Sequence, residues 1–321
     1  MKTLDRWPVV APGCPALVYG RGVAVATRVP RAGSARTADA MLLTVVLLWS
    51  GNFTAMRYAI ASFHPLAFSA VRFGLGAALY ALVVLWREGS LRIARRDLGA
   101  ILLLAGVGIF ANQVAVIYAV QKAGAANVGM LMASAPIIAA LLARRLGHER
   151  IGPRHLVGIA VAATGALLVL YGGGGIGGAP LIGWLLGLAT AATWASYSVL
   201  LRPLMARYSA ERLSAAVLLT GSAMLIPVSL PQLAEQDWGR PSGNAWLALG
   251  YSLVFSLLVT NVLWFDAIHR VGAARATLFL YLEPFCVALI AMAVLSEHVS
   301  LAEWVGGVVI LGGVLVARRG E

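Results

Sequence analysis

Two charged residues lie where charge is expensive. Arg72 falls seven residues past Pro65 inside an apolar run, roughly 10 Å deep at the α-helical rise. Glu283 falls nine residues past Ala274 in another such run, roughly 13 Å deep by the same rise. A charge at that depth in hydrocarbon costs about 3 kcal/mol, so each must turn inward and find a partner. One chemistry for the pair is a gate, or a site for the charged head group of a small molecule. Another is a structural ion pair locking two helices, with a protonated Glu283 as a further option. Position alone weights Glu283 toward function.

Around these charges lie polar and aromatic faces. Trp49, Asn52 and Met56 recur at i, i+3 and i+7, one side of a helix. Trp194 and Tyr197 make a second such face, and two of them could wall a cavity for an apolar or aromatic group, or attract a cation. Ordinary interhelical packing is the competing reading. Asn112 and Gln113, and Asn261 with Trp264, put amides and an indole at similar depth, where they bond a neighbouring helix or face a wet cavity. Tyr281, Met132 and Ser134 are weaker candidates. Pro136 and Pro284 each free a carbonyl one turn earlier, or simply kink a packed helix. Asp266, four residues before Arg270, suits a local surface pair. Glu149 and Glu297 precede helices, where the dipole favours an acid in a structural role. Trp86, Trp184, Trp246 and Trp304 fall at the ends of apolar runs, as interface anchors do.

Several motif matches carry no chemistry. Gly172–Gly177 fits G-x-G-x-x-G and Gly106–Ala111 its looser form, but neither follows a strand in a βαβ unit. The first reads as a flexible linker and the second as small residues that let helices approach. There is no P-loop lysine, no second histidine after His148-Glu149, and no G-x-S-x-G. Cys14 and Cys286 have no metal or redox spacing, and Cys286 reads as a small core residue. No cofactor, no metal, no ATP and no nucleic acid is expected.

The elements that position these residues are membrane spans. Of 321 residues, 60% are hydrophobic and only 12% charged, with a mean hydropathy of +0.84. A soluble domain carries about a quarter of its residues charged. Apolar runs long enough to cross about 30 Å of hydrocarbon recur along the chain. They run from about 40 to 60, 65 to 86, 98 to 120, 125 to 143 and 153 to 171, then 181 to 201, 213 to 230, 245 to 268, 274 to 295 and 301 to 317. Residues 1–39, basic and broken by Pro8, Pro12 and Pro15, read as a disordered cytoplasmic tail, with Met41 an alternative start. Most Lys and Arg fall on one side of this ladder: in that tail, in the even-to-odd linkers (Arg87, Arg92, Arg95 and Arg96; Arg144, Arg145, Arg150 and Arg154; Arg202, Arg207 and Arg212; Arg270 and Arg275) and at Arg318 and Arg319. Only Lys122 and Arg240 fall on the other side, while Arg57 and Arg72 lie within spans. The positive-inside rule then places both ends in the cytoplasm.

The chain also repeats itself. Shifting Ala119–Ala166 by 148 residues superposes Gly124 on Gly272, Pro136 on Pro284, Glu149 on Glu297, Gly158 on Gly306 and Gly165 on Gly313. Composition alone would match alanines and glycines, but not a mid-helix proline and a post-helix glutamate in one register. At a shift of 145, Trp49 and Arg57 fall on Trp194 and Arg202. The expected fold is therefore an all-α polytopic membrane protein of ten transmembrane helices in two five-helix repeats. Five being odd, the second copy is inverted, the architecture that gives alternating access around a shared central cavity. The expected parts are the tail 1–39, a first repeat over 40–171, a Gly-rich external linker over 172–180, a second repeat over 181–317 and a cytoplasmic tail over 318–321.

WSGNFTAMRYA in the first span, HPLAFSAVRF opening the second, Ala-Pro in the fourth and Gly-His-Glu-Arg before the fifth resemble the drug/metabolite transporter superfamily, specifically its ten-helix EamA-type members. The weaker second copy extends the resemblance over nearly the whole chain from residue 40. The second copy departs by placing Glu283 before its proline where the first has Ala135. The resemblance implies a secondary carrier in a bacterial-type inner membrane moving small molecules, nearest to exporters of amino acids, aromatic ones included. The candidate substrate-binding set is Trp49, Asn52, Asn112, Gln113, Met132, Trp194, Tyr197, Asn261, Trp264, Tyr281 and Glu283, with Arg72 and Glu283 as a gate or ion pair. The alternatives are a proton-coupled exporter of lipophilic cations with Glu283 as counter-charge, and an intramembrane enzyme. The enzyme reading finds no nucleophile–base or metal set, and a channel finds no charge ring or filter loop.

Overall fold

The computed structural model describes residues 32–146, 153–172, 181–271, 276 and 279–318. Among them the chain is helical throughout, with no strand. The helices in chain order are α1 (Ala32–Ala59), α2 (Pro65–Glu88), α3 (Arg95–Ala123), α4 (Ala125–Arg145), α5 (Pro153–Gly172), α6 (Leu181–Met205), α7 (Ala210–Glu235), α8 (Gly243–Ile268), α9 (Leu280–Leu295) and α10 (Leu301–Arg318). Seven contain an apolar stretch long enough by itself to cross a bilayer, and α5, α9 and α10 contribute shorter ones. Leu47, Leu75, Leu82, Leu102, Leu167, Leu247 and Leu315 are exposed along the flanks, as suits side chains bathed by lipid rather than water.

Local chemistry sets the helix ends. Pro65 opens α2 at a position where its missing N–H is no loss. Gly89 closes it in the left-handed region, returning its N–H to Leu85 O. Ser209 and Ser242 cap α7 and α8 by accepting from the N–H groups of Arg212 and Ala245. Ser300 and Glu303 form a reciprocal capping box at the start of α10.

Packing follows the repeat. α2 lies against α7, α4 against α9 and α5 against α10, each helix meeting its own repeat mate. The remaining large contacts come in matched sets: α3 with α6 answers α8 with α1, α4 with α6 answers α9 with α1, and α3 with α7 answers α8 with α2. Such a network is what a two-fold relation between antiparallel five-helix units generates. Irregularities repeat as well. π-helical turns interrupt α3 at Gly106–Ala111 and α8 at Val254–Val259, 148 residues apart. α4 breaks at Ala133 and Ser134, just before Pro136, while a 3₁₀ turn at Leu280–Leu282 precedes Pro284.

Several expectations change in detail. α1 begins at Ala32 rather than at 40, because the alanine-rich, proline-free stretch continues the helix and packs Ala38 and Leu42 against Ala267 and Ala276. α7 runs on to Glu235 through Pro227 and Pro231. Trp184 is buried rather than anchored at an interface, whereas Trp86 is 86% exposed. Asp266 does not rely on Arg270: Arg87 Nη2 reaches its Oδ1 at 3.1 Å, and Arg87 Nη1 reaches Glu211 Oε1 at 3.3 Å. Glu297 serves α4 rather than its own following helix, accepting from Ala125 N at 3.2 Å and Ala126 N at 3.1 Å. Most of the Gly-rich linker, and the tail before residue 32, lie outside the described residues, as does Glu149.

Candidate functional site

The mid-portions of α1, α2, α3, α6 and α8 are joined by a belt of polar contacts. Thr190 O and Thr193 Oγ1 on α6 accept from Asn112 Nδ2, at 3.0 and 2.9 Å. Asn112 Oδ1 accepts from Gln113 Nε2 at 3.1 Å, and Gln113 Oε1 from Arg72 Nη1 at 3.5 Å. Arg72 Nε donates to Ser252 O on α8 at 3.2 Å, and Ser252 Oγ donates to Asn52 Oδ1 on α1 at 2.7 Å. Trp49 Nε1 reaches Ser256 O and Thr260 Oγ1 at 3.1 and 3.0 Å. Asn112 and Thr260 occupy the same place in the two repeats, each directly after a π-helical turn. Such turns re-aim the side chains that follow and recur at functional sites.

This belt walls a chamber of about 200 Å³. Of the residues anticipated from the sequence, Trp49, Asn52, Arg72, Asn112, Gln113, Met132, Trp194, Tyr197, Asn261 and Glu283 all line it. The indoles of Trp49 and Trp194 meet edge to face with centroids 6.5 Å apart, and Tyr197 lies 5.8 Å from Trp194. Tyr197 can sit here because α3 carries Gly108 opposite, where a Cβ would overlap the tyrosine ring. The small residues of that stretch therefore serve close packing, as the sequence suggested.

A second chamber of about 360 Å³ adjoins the first. Met132, Trp194, Leu280 and Glu283 line both, so the two spaces meet at the helix breaks of α4 and α9. The larger chamber is apolar over most of its wall (Pro136, Ile137, Ile159, Leu311, Val314) and runs toward Arg202, exposed at the arginine-rich end of α6. Tyr281 lines this chamber and not the smaller one. Trp264 lines neither; it stands behind Trp49, ring centroids 5.5 Å apart.

Arg72 and Glu283 do not form the ion pair considered from their depths. Both line the smaller chamber, yet no nitrogen–oxygen contact within 4.0 Å joins them. Among the described residues Arg72, 6% exposed, meets only neutral groups: Ser252 O, Gln113 Oε1, Met56 Sδ and the Phe73 ring, whose centroid lies 4.9 Å from Arg72 Cζ. Its Nη2 makes no hydrogen bond among the described residues, and neither does the Glu283 carboxylate. Two residues of opposite charge type thus line one space without counter-ions among the described residues.

Sequence reasoning missed the hydroxyls. Thr190, Ser214, Ser252 and Ser256 carry no charge, and a Ser or Thr in a span ordinarily bonds back to the carbonyl one turn earlier. Thr190 and Thr193 do so, to Leu186 O and Ala189 O, while also serving the belt. No metal-ligating cluster occurs among the described residues.

The sequence pattern of the EamA-like transporter family matches this chain twice, over residues 36–171 and 181–319, one copy per five-helix unit. Among curated relatives, the uncharacterized transporter YyaM of Bacillus subtilis is 25% identical over 86% of this chain and 92% of its own length. A protein named "Probable terminal-alkyne amino-acid exporter" in Streptantibioticus cattleyicolor is 28% identical, covering 87% and 92%. The uncharacterized inner membrane transporter YedA of Escherichia coli K12 is 28% identical, covering 86% and 89%. A solved crystal structure superposes with a TM-score of 0.62 at 24% identity, over 89% of this chain and 99% of the other, which establishes likeness of fold. Two matched copies spanning most of the sequence decide the assignment: the chain belongs to the EamA-like transporter family and is a polytopic transporter of the membrane.

Proposed function

We propose that the protein is a secondary carrier of amino acids with aromatic or other hydrophobic side chains, working by alternating access. The observation that carries this reading is the composition of the joined chambers. A polar belt with two charges faces a wall of indoles and aliphatic side chains, at a place to which both repeats contribute. Such a lining suits a small molecule with a polar head and an apolar body. The amino-acid substrate in the name of the Streptantibioticus cattleyicolor relative supports the same class. In this reading the arginine-rich face is cytoplasmic, both termini lie there, and the larger chamber leads to that side. Rocking of the two units would close it and open the smaller chamber to the other face.

The lipophilic-cation reading is weaker, since Arg72 places a permanent positive charge in the same space. Counterflow of a radiolabelled amino-acid panel into proteoliposomes tests the proposal. Saturable exchange of phenylalanine, leucine or their homologues is expected; exchange of no amino acid would remove the substrate class.

A further inference from the structure

We propose that the chamber holds its substrate as a zwitterion in one fixed polarity, the carboxylate on Arg72 and the ammonium on Glu283, with the side chain in the larger apolar chamber. This assignment rests on the amino-acid-carrier reading and specifies how that site recognises its ligand.

Neither Arg72 nor Glu283 has a counter-ion among the described residues. A buried guanidinium and a carboxylate at mid-span depth are each costly unless an opposite charge meets them. Arg72 is fixed by a backbone carbonyl through Nε and by Gln113 through Nη1, which leaves Nη2 without a hydrogen bond among the described residues and free to donate to a carboxylate. It lines the smaller chamber alone. Glu283 stands at the junction of the two chambers, together with Met132, Trp194 and Leu280. The two side chains make no nitrogen–oxygen contact within 4.0 Å, and both line a space that a molecule carrying both charged groups on one carbon can occupy.

The two charges fix the polarity, and the shape of the space then fixes where the side chain goes. In an α-amino acid the ammonium, the carboxylate and the side chain all leave from one carbon. With the ammonium at Glu283, that carbon lies at the junction, and the side chain passes between Met132 and Trp194 into the apolar space bounded by Ile137, Ile159 and Leu311. The reverse orientation would put a carboxylate against a carboxylate. A cation lacking the carboxylate leaves Arg72 uncompensated, and an anion lacking the ammonium leaves Glu283 so. Discrimination of this kind is large, because the group left behind is buried and unpaired.

The test is competition against counterflow of radiolabelled L-phenylalanine in proteoliposomes holding the purified full chain. The competitors are phenylalanine, phenylalaninamide, which masks the carboxylate, and N-acetylphenylalanine, which masks the ammonium. Against the wild type, each masked analogue is expected to compete at least tenfold more weakly than phenylalanine. Glu283→Gln is expected to remove the discrimination against N-acetylphenylalanine while keeping that against the amide; Arg72→Gln should do the reverse. A merely structural role for either charge would weaken all three ligands together, and that pattern in folded variants overturns the assignment. Should a variant fail to fold, the wild-type competition decides: either analogue competing as well as phenylalanine overturns the fixed polarity while the carrier reading stands. A wild type that exchanges no amino acid overturns both.

Discussion

Gly165 on α5 and Gly306 on α10 meet backbone to backbone: a Cβ on either would lie 2.7 Å from the carbonyl oxygen of the other. Gly313, the repeat mate of Gly165, stands in the same relation to Gly158, its Cβ position being 2.6 Å from that carbonyl oxygen. The two helices therefore cross as closely as backbones allow, through two symmetry-related pairs of glycines, as small residues permit in membrane helices.

An alanine at this crossing must push the helices apart. Gly165→Ala or Gly306→Ala is expected to destabilise the protein by about 1–3 kcal/mol, the usual cost of overfilling a packed contact. Gly312→Ala, where an added Cβ meets nothing within 4 Å, is expected to leave stability unchanged. Thermal unfolding in detergent, read by loss of monodispersity, separates these variants.

Glu297, between α9 and α10, ties that turn to the start of α4. Its carboxylate accepts from the first N–H groups of α4, and Arg57 stands 3.9 Å away while donating to Gln121 O at 2.6 Å. Glu297→Ala is expected to cost about 1–2 kcal/mol, as the loss of a helix cap does. Gly124 precedes that cap with φ +87° and ψ 161°, a region essentially reserved for glycine, so Gly124→Ala is expected to cost a similar 1–3 kcal/mol. Unfolding midpoints in detergent with a calibrated enthalpy check both.

Arg87 ties α2 to α7 through Glu211 and to α8 through Asp266, while Glu88 holds Arg212 at 3.0 Å beside it. Charge pairs that remain partly wet contribute little individually, about 0.2–1 kcal/mol in double-mutant cycles. A double-mutant cycle of Arg87→Gln with Glu211→Gln is expected to show coupling of that order. Coupling near zero would mean the contact does not hold the two helices.

Trp49 both walls the smaller chamber and anchors α1 to α8 through its indole N–H. Trp49→Phe keeps an aromatic face and deletes the donor, leaving Ser256 O and Thr260 Oγ1 without it. The expected loss is about 1 kcal/mol of stability, with phenylalanine exchange retained. Trp49→Ala is expected to reduce exchange at least tenfold, measured as initial counterflow rate.

Much of this was legible in the sequence because the repeat marks it. Pro136 and Pro284 mark the paired helix breaks, and depth singles out Arg72 and Glu283, which line one space without the ion pair their depths allow. The π-helical turns were not legible, since no residue type encodes them and only their common register ties them together. Nor could spacing alone give the partners of Asp266 and Glu297. A local rule offered Arg270 and the following helix, but the folded bundle brings Arg87 and the start of α4 closer. Trp264 sat in a favourable pattern with Asn261 and yet packs behind Trp49, because a helical face is shared between cavity and core. Hydroxyls such as Ser252 stayed silent, having no charge to make their depth costly.

Thiol labelling tests most directly that one chamber is opened to alternate faces. With Cys14 and Cys286 replaced by alanine, Ser198→Cys places a single thiol in the wall of the larger chamber. A membrane-impermeant reagent is predicted to label it from the arginine-rich face, and excess phenylalanine on the other face to slow that labelling severalfold. Equal labelling from both faces at once, unmoved by phenylalanine, would contradict the account.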